Sequence, residues 1–141
     1  MAYQPFDLSG KVALITGGNS GIGLGFAEAL AEAGADICIW GTNADKNAAA
    51  LNQIKSYGGK AMAQICNVGD QKEVLATFSK TLETFGRVDS CFANAGVSGR
   101  SDQSNFTEMP AEEWRRVMDV NLDGAFYTLQ VAAKHMVERG G

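Results

Sequence analysis

An α/β fold with a parallel sheet covered on both faces is predicted by three features of the sequence. Short apolar runs alternate with amphipathic helical stretches from residue 12 onward. The runs at 12–16, 37–40, 61–66 and 88–93 are nearly continuous in apolar residues, the pattern of strands buried on two faces. The connections are short. Right-handed crossovers in a β-α-β-α-β-α-β series then give a doubly wound sheet in the strand order 3-2-1-4, with helices above and below it in an α/β/α sandwich.

Val12-Ala13-Leu14-Ile15-Thr16 is the first strand, and it runs directly into Gly17-Gly18-Asn19-Ser20-Gly21-Ile22-Gly23. Ile22, Phe26, Ala29, Leu30 and Ala33 follow at helical spacing and mark the expected inner face of the first helix, with Gly34 as its stop. After the second strand, a helix is expected from near Asn43 to Gly58-Gly59, with Leu51 and Ile54 turned inward and Ala48-Ala49-Ala50 favouring helix. The third strand leads to Asp70 as N-cap with Glu73 three residues on, a variant capping box. Val74, Phe78, Leu82 and Phe85 form the inner stripe before Gly86.

The fourth strand is followed by a polar loop at 97–109, and Pro110 opens a helix expected to run almost to Arg139. Trp114, Val117, Met118, Leu122, Ala125, Leu129, Ala132 and Met136 mark its apolar stripe, with Val120, Tyr127 and Val131 off it. A helix apolar on more than one side is expected to pack against a partner subunit as well as its own core.

The 141 residues suit one domain, able to bury about two-thirds of the surface the unfolded chain exposes. A net charge of −4 with no basic cluster argues against nucleic acid and acidic membrane surfaces as partners. No stretch has the roughly 18 apolar residues of a membrane span, and the opening Met-Ala-Tyr-Gln-Pro-Phe-Asp has no leader pattern. A soluble, cytoplasmic protein is the expectation. Cys38, Cys66 and Cys91 lie in separate apolar runs without C-x-x-C spacing, so they are expected as buried thiols, with no metal site.

The glycine turn between a strand and a helix has the chemistry of a phosphate cradle. Glycines take positive φ and admit a pyrophosphate without a Cβ in the way, while the open N–H groups and dipole of the helix start favour negative charge. The spacing is G-x-x-x-G-x-G, with Phe26 where the commoner fingerprint has a third glycine. No Lys-Ser or Lys-Thr follows the last glycine, which argues against a P-loop and phosphoryl transfer. A tight structural turn is the alternative. Asn94-Ala95-Gly96 has the same ambiguity: a turn closing the fourth strand, or a ligand contact at the carboxyl end of a strand beside the switch point. Asn121, an amide on the apolar stripe between Met118 and Ala125, is either a core side chain satisfying a bend near Gly124 or a functional group.

Thr16-Gly17-x-x-x-Gly21-Ile22-Gly23, Asn94-Ala95-Gly96 and Asn121 within Met118-Asp119-Val120-Asn121-Leu122 together resemble the short-chain dehydrogenase/reductase family, over the chain from about residue 9 to its end. The resemblance implies a Rossmann-like fold that binds NAD or NADP and transfers hydride between the nicotinamide and an alcohol or carbonyl carbon of a small-molecule substrate. By it, Gly17, Asn19, Ser20 and Ile22, with Gly21 and Gly23 of the same turn, line the pyrophosphate and ribose. Asn94, Ala95 and Gly96 pass under the adenosine and central riboses, and Asn67 and Val68 lie near the adenine. Asn121 is the catalytic candidate, since the family's Asn at this place holds a water in the proton relay to a catalytic lysine. This chain departs from the pattern at Ala93, where an Asn is usual, and at Asn67, where an Asp is usual.

Coenzyme choice turns on the end of the second strand, where an acid binds ribose hydroxyls and a base binds a 2′-phosphate. Gly41-Thr42-Asn43 is neither; the missing repulsion, with Thr42, Asn43 and Lys46 within reach, tilts the balance slightly to NADP. His135 sits near a helix C-terminus and is expected to be an exposed structural residue rather than a base. Arg100, Asp102 and Asn105 belong to a loop able to face substrate, with a polar surface loop as the plainer account.

The family's Ser on a fifth strand and its Tyr-x-x-x-Lys are not found. A full fold of this kind has about six strands, and four are present. The expectation is that residues 1–141 form the N-terminal coenzyme-binding part of a single oxidoreductase domain, truncated after strand 4 and the long helix, inactive alone and partnered by a C-terminal remainder. The alternative is a non-catalytic dinucleotide-binding or interaction protein.

Overall fold

The computed structural model describes residues 4–100, 102 and 105–140. Met1 to Tyr3 of the stretch read for a leader, part of the loop after the fourth strand and Gly141 lie outside these residues. The chain runs β1 (Val12–Thr16), α1 (Gly21–Glu32), β2 (Asp36–Gly41), α2 (Ala44–Lys55), β3 (Ala61–Ile65), α3 (Gln71–Phe85), β4 (Ser90–Phe92), α4 (Ala111–Met118), a π turn (Asp119–Asp123) and α5 (Gly124–Glu138). The four strands are parallel in the order β3-β2-β1-β4, with Ile15 opposite both Ile39 and Phe92. The sheet is the doubly wound, Rossmann-like one expected from the sequence.

Alternation along each strand sorts the two cores. Ala13, Ile15, Ile37 and Ile39 face α1 and α2, packing with Ala27, Ala31, Ala50 and Ile54. Leu14, Cys38 and Trp40 face α3 and α5, packing with Val74, Phe78, Val88 and Ala132. The central strands β1 and β2 are buried almost throughout, but the edge strands β3 and β4 are mostly half-buried. β3 ends one residue before Cys66, and β4 is shorter than the apolar run that contains it.

The expected inner face of α1 is corrected. Gly23, Ala27 and Ala31 are the buried residues, whereas Ile22 is 74% exposed and Phe26 41%. Bulk misleads here: small residues at i, i+4 and i+8 bring the helix close to β1, and a Cβ on Gly23 would lie 2.2 Å from the Gly17 carbonyl oxygen. In α2 the inner residues are Asn47, Ala50 and Ile54, with Leu51 half-buried, and the helix ends at Lys55. Asp70 caps α3 as expected, but Glu73 Oε2 accepts the Asn67 N–H rather than the N-cap's own. Gly86 ends α3 at φ +76°, a left-handed stop.

The long helix beyond Pro110 is continuous, with Pro110 as its N-cap rather than in its first turn. The π turn inserts a residue and rotates the two halves relative to each other. Gly124, Thr128 and Ala132 are buried, and Val120, Tyr127, Val131 and Met136 pack on the core. Trp114, Leu122 and Leu129 of the expected stripe are instead about half exposed, beside Phe126.

Candidate functional site

A cleft of about 410 Å³ opens at the carboxyl ends of β1, β2 and β4, where the strand order reverses. Thr16, the last residue of β1, organises its floor. Its buried hydroxyl accepts the N–H groups of Asn94 and Ala95, both at 3.0 Å. Asn94 Nδ2 in turn donates to the carbonyls of Thr16 (3.1 Å) and Gly17 (3.3 Å), so the end of β4 is clamped to the glycine turn. Gly17 takes φ +63°, and a Cβ there would meet the Ala95 Cα at 2.9 Å.

Gly21 is the other left-handed residue of the turn, at φ +53°, and the space in front of it is open. It starts α1. Of the three helices that follow β1, β2 and β3, only α1 has an N-cap, Ser20, whose side chain makes no capping hydrogen bond, its hydroxyl donating instead to Asn19 Oδ1; Asn43 caps α2 and Asp70 caps α3. The first-turn N–H groups of α1, with the helix dipole behind them, are therefore available to an anion.

The expected site residues fall into groups. Gly17, Asn19 and Ser20 from the turn, Thr42 and Asn43 after β2, Asn67 and Val68 after β3, and Asn94, Ala95 and Gly96 after β4 all line the cleft. Gly21, Ile22 and Gly23 are not part of that lining: Gly21 faces open space at the helix start, Ile22 is exposed, and Gly23 is packed under Gly17 and Asn94. Asn43 Oδ1 is engaged in capping the Lys46 N–H, and Asn67 Oδ1 accepts the Gly69 N–H. Among the described residues, no carboxylate lines the cleft and Lys46 is its one charged side chain. The cleft suits an anionic ligand.

Asn121 sits on the π turn and is exposed, not the buried amide its place on the apolar stripe suggested. Its Oδ1 accepts the Val97 N–H at 2.7 Å and its Nδ2 donates to the Val97 carbonyl at 2.8 Å. Val97 lines the cleft, so Asn121 fixes the segment that leaves β4 along the cleft wall. The expected bend is present as the π turn, a distortion frequent at functional sites.

Other candidates are placed elsewhere. His135 Nε2 accepts the Val88 N–H at 3.2 Å at the opposite, amino-terminal end of the sheet, half-buried rather than exposed, and burial lowers its pKa. Arg100 is held by Glu113 through its N–H. Burial pushes the Cys66 thiol up to about 11 and the Cys91 thiol up to about 12, so neither is poised as a nucleophile. Among the described residues there is no cluster suited to a metal ion and no helix long and apolar enough to cross a membrane.

Two features of the site were missed in the sequence. Asn47 bonds to Asn19, Gly41 and Gln64, and its helical spacing with Ala50 and Ile54 is the signal that marked it as inward. Glu113, buried beside Arg116, ties down the loop after β4 and carries no signal beyond its i,i+3 partner.

Residues 11–141 match the family model for short chain dehydrogenase. A probable NADP-dependent mannitol dehydrogenase of Yarrowia lipolytica is 38% identical over 97% of this chain and 49% of its own length. The crystal structure of an NAD+-bound xylitol dehydrogenase superposes with a TM-score of 0.88 at 30% identity, over 94% of this chain and 50% of that one. A short-chain type dehydrogenase/reductase from Mycobacterium marinum gives 0.87 at 39% identity, over 96% and 52%. The chain spans about half the length of the curated relatives it matches. With its glycine turn, its sheet order and its cleft at the switch point, this chain belongs to the short-chain dehydrogenase family.

Proposed function

We propose that residues 1–141 are the coenzyme-binding part of an oxidoreductase that moves hydride between NAD(P) and an alcohol or carbonyl carbon of a small-molecule substrate. The observation that carries this is the uncapped start of α1, opening beside Gly21 next to a cleft without carboxylates. Those N–H groups bind a pyrophosphate, and Gly21 lets it approach. The coenzyme, when bound, supplies the hydride donor or acceptor at its nicotinamide.

At the end of β2, Gly41, Thr42 and Lys46 present no negative charge to an adenosine ribose, which favours NADP slightly over NAD. Thr42, Asn43, Asn67 and Val68 flank the adenosine end, and Ala95 and Gly96 the central riboses. Asn94 acts through the turn that it clamps. Asn121, bonded to Val97 on the π turn, is assigned to a proton relay whose lysine, with the Ser and Tyr, belongs to a C-terminal remainder. The exposed Trp114, Leu122, Phe126 and Leu129 suit a homo-oligomer contact, and three free cysteines suit a reducing, cytoplasmic compartment.

The test is steady-state kinetics of the complete gene product with both coenzymes, following NAD(P)H absorbance. A panel of alcohols and ketones headed by sugar alcohols is apt, since two of the relatives above are named for polyols. Turnover with a modest preference for NADP in kcat/KM is expected. No turnover with either coenzyme would overturn the proposal, and a strong NAD preference would overturn its coenzyme assignment.

A further inference from the structure

We infer that Asn47 is a positioning residue for coenzyme binding: with Asn19 it forms a carboxamide bridge that fixes the glycine turn to the end of β2 and closes position 41 to side chains. The inference rests on the coenzyme reading above. Asn47 closes the first turn of α2 and is 5% exposed, on the face that Ala50 and Ile54 turn to the core. A buried amide needs partners, and its partners come from three elements. Nδ2 donates to the Gly41 carbonyl at 3.0 Å, at the end of β2, and to the Gln64 carbonyl at 3.2 Å in β3. Oδ1 accepts Asn19 Nδ2 at 2.8 Å. Asn47 thus ties the carboxyl edge of the sheet to the turn that leads into α1.

The bridge also occupies the space in front of Gly41. A Cβ on residue 41 would lie 2.3 Å from Asn19 Nδ2 and 2.5 Å from Asn47 Oδ1, well inside contact distance. Gly41 is therefore more than the lack of an acid, because the bridge requires its bare backbone. An acid placed at 41 alone displaces Asn19, and with it the turn that holds the pyrophosphate. Removal of the Asn47 side chain takes away the 2.5 Å contact and releases Asn19 from the bridge, so that Asn19, whose Nδ2 and Cγ crowd the same space, can turn aside and donate to the new carboxylate. Coenzyme discrimination at the end of β2 is in this way gated from α2.

The experiment titrates NAD and NADP against four forms of the complete protein: wild type, Gly41→Asp, Asn47→Ala and the double variant, with circular dichroism melts as the check on folding. Gly41→Asp should weaken both coenzymes by about tenfold or more, and Asn47→Ala should weaken both with little change in their ratio. The double variant should bind NAD more tightly than Gly41→Asp does and shift the ratio toward NAD by about tenfold, a non-additive outcome. A purely structural Asn47 would lower the melting temperature without producing that shift. Gly41→Ala, with and without Asn47→Ala, repeats the comparison without a new charge should the aspartate variants fail to fold: alanine at 41 alone weakens both coenzymes more than Asn47→Ala does, and the second change brings them back to the level of Asn47→Ala. NAD selection by Gly41→Asp alone at undiminished affinity would overturn the inference, as would wild-type affinities in Asn47→Ala. A wild type that binds neither coenzyme removes the coenzyme reading, and this inference with it.

Discussion

Glu113 shows how much a single buried side chain decides in this chain. Its carboxylate is 1% exposed, and Arg116 donates to both oxygens, from Nε at 2.9 Å and Nη2 at 2.7 Å. The Arg100 N–H adds a bond at 2.9 Å, and Arg116 Nη2 also reaches the Ser98 carbonyl, so the loop after β4 is fastened to α4. Arg116 first, then the Arg100 N–H, hold the carboxyl at about 2 against an ordinary 4.5. A folded value below the unfolded one contributes stability that is present above about pH 4.5 and lost as pH falls toward 2. Glu113→Gln should therefore flatten the fall of Tm across that window; thermal melts of both proteins at a series of pH values check it, and parallel curves would refute it. The sequence did not show this residue, because a charged side chain on a helix is by default assigned to the solvent face. Asn47, a neutral polar side chain, was passed over as a surface residue although its spacing with Ala50 and Ile54 places it inward. Thr42, Asn43 and Asn94, by contrast, were legible as cleft residues, since strand order alone puts the carboxyl ends of β1, β2 and β4 together.

At the scale of elements, strand positions were legible and helix faces less so. A strand buried on both sides is recognised by its continuous apolar run, and β1 coincides with its run from Val12 to Thr16. A helix apolar around most of its circumference gives no such guide: in α1 the small Gly23, Ala27 and Ala31 go inward, and in α5 the π turn resets the phase. Gly124 marks that junction. A Cβ there would lie 2.6 Å from Val68 Cγ2, and Val68 lines the cleft. Gly124→Ala should destabilise the fold by about 1–3 kcal/mol through overpacking and weaken coenzyme binding by displacing Val68. Urea denaturation together with coenzyme titration tests both parts, and unchanged values in both would show that the junction has slack.

The molecule as a whole carries apolar surface on both of its outer sides. Phe26 and Phe92 lie with ring centroids 5.4 Å apart on one side, Phe26 41% exposed, while Leu122 on the π turn and Phe126 and Leu129 on α5 are open. β4 is a half-buried edge strand, and unpaired edges invite association. Residues 1–141 expressed alone should self-associate and transfer no hydride, and a C-terminal segment bearing a Ser and a Tyr-x-x-x-Lys should restore both solubility and activity. Gel filtration with NAD(P)H absorbance distinguishes the outcomes; a monodisperse, active fragment would contradict the account. The central claim is that the open N–H groups at the start of α1 hold the pyrophosphate of a dinucleotide. Its most direct test is calorimetric titration of NAD and NADP against the complete protein, wild type and Gly21→Val, with folding followed by circular dichroism. Gly21 stands at φ +53° before open space, so valine fills the approach and strains the turn. Loss of at least about tenfold affinity for both coenzymes in a folded variant is the predicted result, and equal affinities with the fold intact would contradict the claim.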